Sequence, residues 1–201
     1  MMNETDNRIF EVTPNDTGSV ARILADAFAE DPVFIWALPN SATRRVDAVA
    51  FFTYYLRRSR TGERQVLATG DISAVAVMTT VPSAEDVRTA ASGGLASLGF
   101  SSPAAAYFRW IESHRPSVRH RYLEFIGSVP GIRSKGQGTA LLNHLLADAD
   151  QQGMPVWCWS SNLRNITFYE RLGFHVDADL RRDGETPAVT SLVRPPLQIS
   201  A

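Results

Sequence analysis

The residues with the plainest chemistry lie between Tyr122 and Thr139, in the order Tyr-Leu-Glu-Phe-Ile-Gly-Ser-Val-Pro-Gly-Ile-Arg-Ser-Lys-Gly-Gln-Gly-Thr. Arg133, Gly136 and Gly138 stand at the spacing R-x-x-G-x-G. An apolar run ends at Val129-Pro130 before them, and an amphipathic run opens near Gly136. Glycines let a backbone approach a ligand closely, and the free N–H groups of a helix start point at an anion. Arg133 and Lys135 add positive charge beside the same loop. Capture of a phosphate or pyrophosphate fits this pattern, although a plain strand-to-helix turn could use the same glycines for packing. Two other phosphate loops are excluded. The pattern G-x-x-x-x-G-K-[ST] is absent, and Leu141 stands where G-x-G-x-x-G needs its third glycine.

Glu124 interrupts the apolar run Tyr122-Leu123-Glu124-Phe125-Ile126. Strand alternation predicts it on one face with Ile126 and Ser128. A carboxylate there is costly unless it faces a cleft or has a partner. Burial would raise its pKa toward a useful value for a general base. Glu124 therefore reads either as a base or as the structural partner of an Arg or Lys. Cys158 alternates with Trp157 and Trp159 within a strand and reads as core packing, not as a nucleophile. His114, His120, His144 and His175 are scattered without metal-ligand spacing, so no metal is expected.

These residues need a scaffold, and its elements are legible. Ile9 to Thr13 reads as a strand, and Pro14-Asn15-Asp16 as a turn and helix start. Val20, Ile23, Leu24, Ala27 and Phe28 recur at helical spacing up to a break at Asp31-Pro32. A second helix is expected from about Ala42 to Arg60, with Val46, Val49, Phe52 and Leu56 inward. Gln65 to Ala68 and Ile72 to Thr80 read as a hairpin. Pro82 to Pro103 is rich in Ala, Ser and Gly and is expected to hold weak helix. Ala104 to His114 reads as helix, Arg121 to Val129 as strand, Gly136 to Gln152 as helix and Pro155 to Ser160 as strand. Asn165 to Leu172 reads as a short helix stopped by Gly173, and His175 to Leu180 and Ala188 to Val193 as closing strands. The order implies an α/β or α+β fold, a sheet with helices packed on it.

The bulk properties narrow the function. The chain has 201 residues, of which 20 are Lys or Arg and 21 Asp or Glu, for a net charge of −1. No basic field is present to hold nucleic acid or a membrane surface. The single cysteine allows no internal disulfide. With no apolar leader in Met1 to Arg8 and no spanning run, the expected location is the cytoplasm.

Together these features resemble the GNAT superfamily of N-acetyltransferases. Its acetyl-CoA motif, Arg/Gln-x-x-Gly-x-Gly/Ala after a strand, is similar to Arg133 to Gly138. Asn165-Ile-Thr-Phe-Tyr-Glu-Arg-Leu-Gly-Phe174 is similar to the family's N-x-x-x-x-Y-E-x-x-G-F segment. Asp31-Pro32-Val33-Phe34 with Trp36 resembles a segment common in its small-molecule enzymes, and His114-Arg115-Pro116 resembles the puromycin N-acetyltransferases. The resemblance implies one domain over 1–201, with a cofactor core at about 120–175. It implies a mixed sheet of six to seven strands with a V-shaped splay. The backbone of Arg133, Ser134, Lys135, Gly136, Gln137, Gly138 and Thr139 would hold the pyrophosphate of acetyl-CoA. Ile126, Gly127, Ser128 and Val129 would pair with the pantetheine arm, with Asn165 beside it. Tyr169 would stand near the sulfur as the proton donor, while Glu124, read from its own strand and not from the resemblance, is the expected base.

The expected reaction is direct acetyl transfer to a primary amine of a small molecule, such as an antibiotic or related metabolite. Phe34, Trp36, Tyr54 and Trp159 are the expected aromatic acceptor wall. The expected assembly is a monomer or homodimer. Two alternatives stay open: a protein lysine or N-terminal acetyltransferase, and a non-catalytic acyl-CoA sensor.

Overall fold

The computed structural model describes residues 8–57, 64–83, 102–132 and 136–197. Seven strands form one sheet: β1 (Ile9–Glu11), β2 (Arg64–Thr69), β3 (Ala74–Val81), β4 (His120–Ser128), β5 (Val156–Ser160), β6 (His175–Leu180) and β7 (Val189–Arg194). Their spatial order is β1-β2-β3-β4-β5-β7-β6. The β4–β5 pair is parallel, and every other pair is antiparallel. Among the described residues the α-helices are α1 (Thr17–Ala27), α2 (Pro32–Ala37), α3 (Arg44–Arg57), α4 (Ser102–Glu112), α5 (Gln137–Gln151) and α6 (Ile166–Glu170). Of the weak stretch expected at Pro82 to Pro103, residues 84–101 lie outside the described part. No helix among the described residues is long and apolar enough to cross a membrane.

Each face of the sheet has its own core, as strand alternation requires. On one face Val75 and Val77 of β3, with Tyr122 and Phe125 of β4, pack against residues of α1, α2, α3 and α4. On the other face Ala74, Ala76 and Met78, with Leu123, meet Leu141, Leu142 and Leu145 of α5. The first core is aromatic. Phe34 stacks on Phe52 at 5.3 Å, and the Phe125 ring lies edge-on to Phe28, Phe52 and Tyr55. This cluster sets the register of α3. Ala48, Phe51, Phe52 and Tyr55 turn inward, and Val46, expected inward, is 70% exposed.

Two features fix β4. Its pairing with β3 slips by one residue: Met78 faces Leu123 and Val77 faces Phe125, so Glu124 is an extra, bulged residue. Further along, α1 lies directly on Gly127, where an added Cβ would come within 2.6 Å of the Ala27 Cβ. Glycine at 127 is therefore a packing requirement of the helix–strand contact.

Gly127→Ala is expected to cost about 1–3 kcal/mol in denaturant unfolding, the range for overpacking, and Ala27→Gly in the same chain is expected to restore part of it. A Gly127→Ala protein as stable as the parent would show that α1 does not rest on this glycine.

Candidate functional site

The strand pairing itself creates an opening. β4 and β5 pair at two positions only, Arg121 with Val156 and Tyr122 with Trp157. β4 then continues to Ser128 without a β5 partner, while β5 stays paired with β7 along its length. The two strands therefore part after Tyr122, as the expected splay requires. The backbone groups of β4 that would have faced β5 are left for another partner.

The glycine loop lies at the C-terminal end of this free edge. Gly136 caps α5 with φ +83°, a left-handed conformation that glycine takes without strain. Among the described residues no side chain caps the helix, which leaves its first amides for another partner. An added Cβ at Gly138 would find only ordinary contacts, 3.8 Å to Ile126 Cδ1 and 3.9 Å to Phe168 Cζ. Protein packing does not demand this glycine; close approach of a ligand would. These observations fit a pyrophosphate. Arg133, Ser134 and Lys135 lie outside the described residues. The loop is braced from β3's side of the sheet: the Gln137 side-chain amide donates to Ser73 Oγ (2.8 Å), and Val129 N donates to the Ser73 carbonyl (2.9 Å).

Asn165 and Tyr169 flank the opening on the α5 face. Asn165 Nδ2 reaches Ser160 Oγ at the end of β5 (3.5 Å). Tyr169 packs edge-on to Phe168 and Phe174, beside Cys158, and is 6% exposed. Its hydroxyl makes no hydrogen bond among the described residues, and its oxygen is not one of the fully enclosed polar atoms left without a partner. Burial, and after it the neighbouring ionisable groups of Cys158 and Asp31, push the phenol well above its ordinary pKa. It therefore stays protonated at neutral pH. Burial likewise pushes the Cys158 thiol up, which suits packing and not nucleophilic attack.

Glu124 departs from its expected position. The bulge resets the alternation, so the carboxylate lies with Tyr55 and Tyr122 on the aromatic face, opposite Ile126. Its side chain is 2% exposed, and Arg64 Nε stands 3.2 Å from Oε2. That N–H aims nearer Thr79 Oγ1, so Oε2 has an ionic contact without an aligned hydrogen bond. Arg64 Nη1 also donates to the Tyr55 carbonyl, and the guanidinium sits 4.2 Å over the Tyr55 ring.

The expected acceptor wall divides. Trp159 lies beside the opening, its indole N–H donating to the Tyr122 hydroxyl (2.8 Å) and its ring 6.2 Å from Phe108. Trp36 packs edge-on to Tyr107 at 5.1 Å. Phe34 is core, and Tyr54 is 48% exposed while its neighbour Tyr55 turns inward. Neither Phe34 nor Tyr54 contributes the wall expected of it. Tyr55 and Tyr122 are enclosed beside Glu124, and the signals for that placement, the inward stripe of α3 and the bulge in β4, depend on tertiary packing. No group of three or more His, Cys, Asp or Glu among the described residues could hold a metal ion.

Comparison with known proteins agrees with this geometry. The sequence profile described as acetyltransferase (GNAT) family matches residues 99–174. An uncharacterised N-acetyltransferase of Schizosaccharomyces pombe is 22% identical over 202 residues, covering 92% of this chain and 82% of that protein. Similar solved structures share the fold. One is a Corynebacterium glutamicum protein described as histone acetyltransferase HPA2 and related acetyltransferase, with TM-score 0.71, 21% identity, and 96% and 98% of the two chains covered. The ribosomal-protein-S18-alanine N-acetyltransferase of Escherichia coli gives TM-score 0.55, 16% identity, and 96% of each chain covered. Arylalkylamine N-acetyltransferase 2 of Aedes aegypti gives TM-score 0.59, 12% identity, and 94% and 98% covered. Residues 99–174 therefore match the GNAT acetyltransferase family, and the chain shares its fold with solved acetyltransferases.

Proposed function

We propose that residues 1–201 act as one acetyltransferase domain that transfers the acetyl group of acetyl-CoA directly to a primary amine of a small molecule. The observation that carries this reading is the parting of β4 from β5 beside an uncapped α5 whose Gly138 no protein neighbour requires. The amides of Gly136 to Thr139, with Arg133 to Lys135, hold the pyrophosphate. The free edge from Ile126 to Val129 pairs with the pantetheine arm, and Asn165 lies beside it. Bound acetyl-CoA supplies the thioester. Tyr169 holds its proton until negative charge appears on the departing sulfur, and then donates it.

The aromatic side of the opening supports a small acceptor. Trp159, Tyr122, Phe108, Tyr107 and Trp36 are bulky and offer few polar groups to an extended peptide. The names of similar folds include both a ribosomal-protein alanine acetyltransferase and an arylalkylamine acetyltransferase, so the lining, not the fold, favours the small amine. His114 and Arg115 bond back to the carbonyls of Trp110 and Glu112, which gives this stretch a helix-ending role. For Glu124, enclosure and the Arg64 ion pair favour the structural alternative: a fixed partner of Arg64 that holds the bulge.

CoA release measured with two acceptor panels tests the acceptor. One holds aryl amines, polyamines and aminonucleosides, and the other lysine and N-terminal peptides. Turnover is expected in the first panel; turnover of peptides alone would overturn the small-molecule reading. Acetyl-CoA is expected to raise Tm, by about 2.7 kcal/mol of added stability at a hundred times Kd, and Gly138→Glu is expected to abolish the rise. An undiminished rise in that variant would remove the loop from the site. Tyr169→Phe, which keeps the ring, is expected to leave acetyl-CoA binding intact while kcat falls about 10²-fold or more. A kcat equal to wild type across pH would return Tyr169 to the core.

A further inference from the structure

Asp31 has a position that its role as a helix cap does not explain. Its Oδ1 accepts from the backbone N–H of Val33 (2.9 Å) and of Phe34 (3.2 Å), capping α2. Its Oδ2 accepts from Ser161 Oγ, just past the end of β5. The segment carrying Asp31 leaves α1 where that helix rests on β4 at Gly127. The bond from Asp31 to Ser161 therefore crosses from the β4 side of the opening to the β5 side.

The electrostatics of the carboxylate agree with the placement that the Ser161 bond gives it. Its charge is felt by Tyr107, in the core of the aromatic face, and by Tyr169, in the core of the α5 face. One carboxylate reaches phenols on opposite faces where the sheet is open between them. No Lys, Arg or His among the described residues forms an ion pair with it. A carboxylate offers about four acceptor positions, and three are filled. A mostly buried, unpaired charge in a cleft is costly unless something cationic arrives.

We propose, resting on the acetyltransferase reading above, that Asp31 is the catalytic carboxylate that receives the acceptor's ammonium group and takes its proton. One N–H bond of the ammonium breaks and its proton passes to Asp31 Oδ2. The freed nitrogen lone pair forms the bond to the acetyl carbonyl carbon, the carbon–sulfur bond breaks, and Tyr169 gives its proton to the sulfur. The remaining excess proton on nitrogen returns to the Tyr169 oxygen, and Asp31 releases its own to solvent. The enzyme is restored and one proton is produced per amide. Burial raises the Asp31 carboxyl above the usual aspartate range, against the lowering effect of its Ser161, Phe34 and Val33 bonds. The groups around it are Tyr107 of α4, Tyr169 of α6 and Ser161; both phenols stay neutral through the working range, and Asp183 is felt at Tyr107. The acceptor implied is a cationic alkyl amine.

The test is Asp31→Asn, which retains a cap of equal quality and so the fold. With an alkyl amine its kcat/KM is expected to fall about 10²-fold or more, with the acetyl-CoA thermal shift undiminished and the acid limb of the pH profile lost. With an aryl amine, already unprotonated at neutral pH, the loss is expected to be much smaller. Equal losses with both amines, or an acid limb that persists in Asp31→Asn and disappears in Glu124→Gln, would overturn the assignment. If Asp31→Asn matches an active wild type, only this inference fails. If the wild type releases no CoA with any amine, the acetyltransferase reading and this inference fail together.

Discussion

The structure depends on one constraint: β4 must be a central strand and an open edge at the same time. Antiparallel to β3 along its length, it keeps β5 for two residues and then lets it go. Unpaired backbone in a sheet interior is costly unless another group satisfies it. The parting must therefore be held by everything around it. The bulge at Glu124 bends β4 just where the strands separate, and the Arg64 ion pair keeps the extra residue on the aromatic face. Removing one partner of so enclosed a pair would leave an uncompensated charge. Beyond the bulge, α1 presses on Gly127, and the Ser73 turn ties the end of β4 to the start of α5.

The same separation distributes the chemistry. With the sheet closed, the α5 face and the aromatic face would be isolated by a layer of backbone. With it open, Tyr169 packs in the core of one face and Trp159 against the core of the other, and Asp31 bonds to Ser161 just past the end of β5. Burial keeps the Tyr169 phenol protonated and raises the Asp31 carboxyl, so one dry environment suits both the proton donor and the proton acceptor proposed above.

What the sequence made legible was local. The loop from Gly136 to Thr139 could be read because helix starts and glycine conformations obey short-range rules, and Gly136 opens α5 at φ +83°. Gly173, at φ +86°, ends its helix for the same reason. The element order and the α/β class followed from periodicity. The failures were tertiary. A bulge is a mismatch between two strands, so nothing in Tyr122 to Ile126 alone could show that Glu124 is the extra residue. Phe34 looked like a cleft aromatic because its stacking on Phe52 is contact between helices far apart in sequence. Asp31 read as a helix break, and its bond to Ser161 joins positions 130 residues apart.

The central claim is that the gap between β4 and β5 is the slot for acetyl-CoA. Amide hydrogen exchange with and without coenzyme A tests it most directly. Protection is predicted on the free edge from Phe125 to Val129 and at Gln137 to Thr139. Exchange unchanged at both stretches at saturating coenzyme A, with protection appearing instead around the separate cavity of about 170 Å³ between Phe28, Phe34 and Arg44, would contradict it.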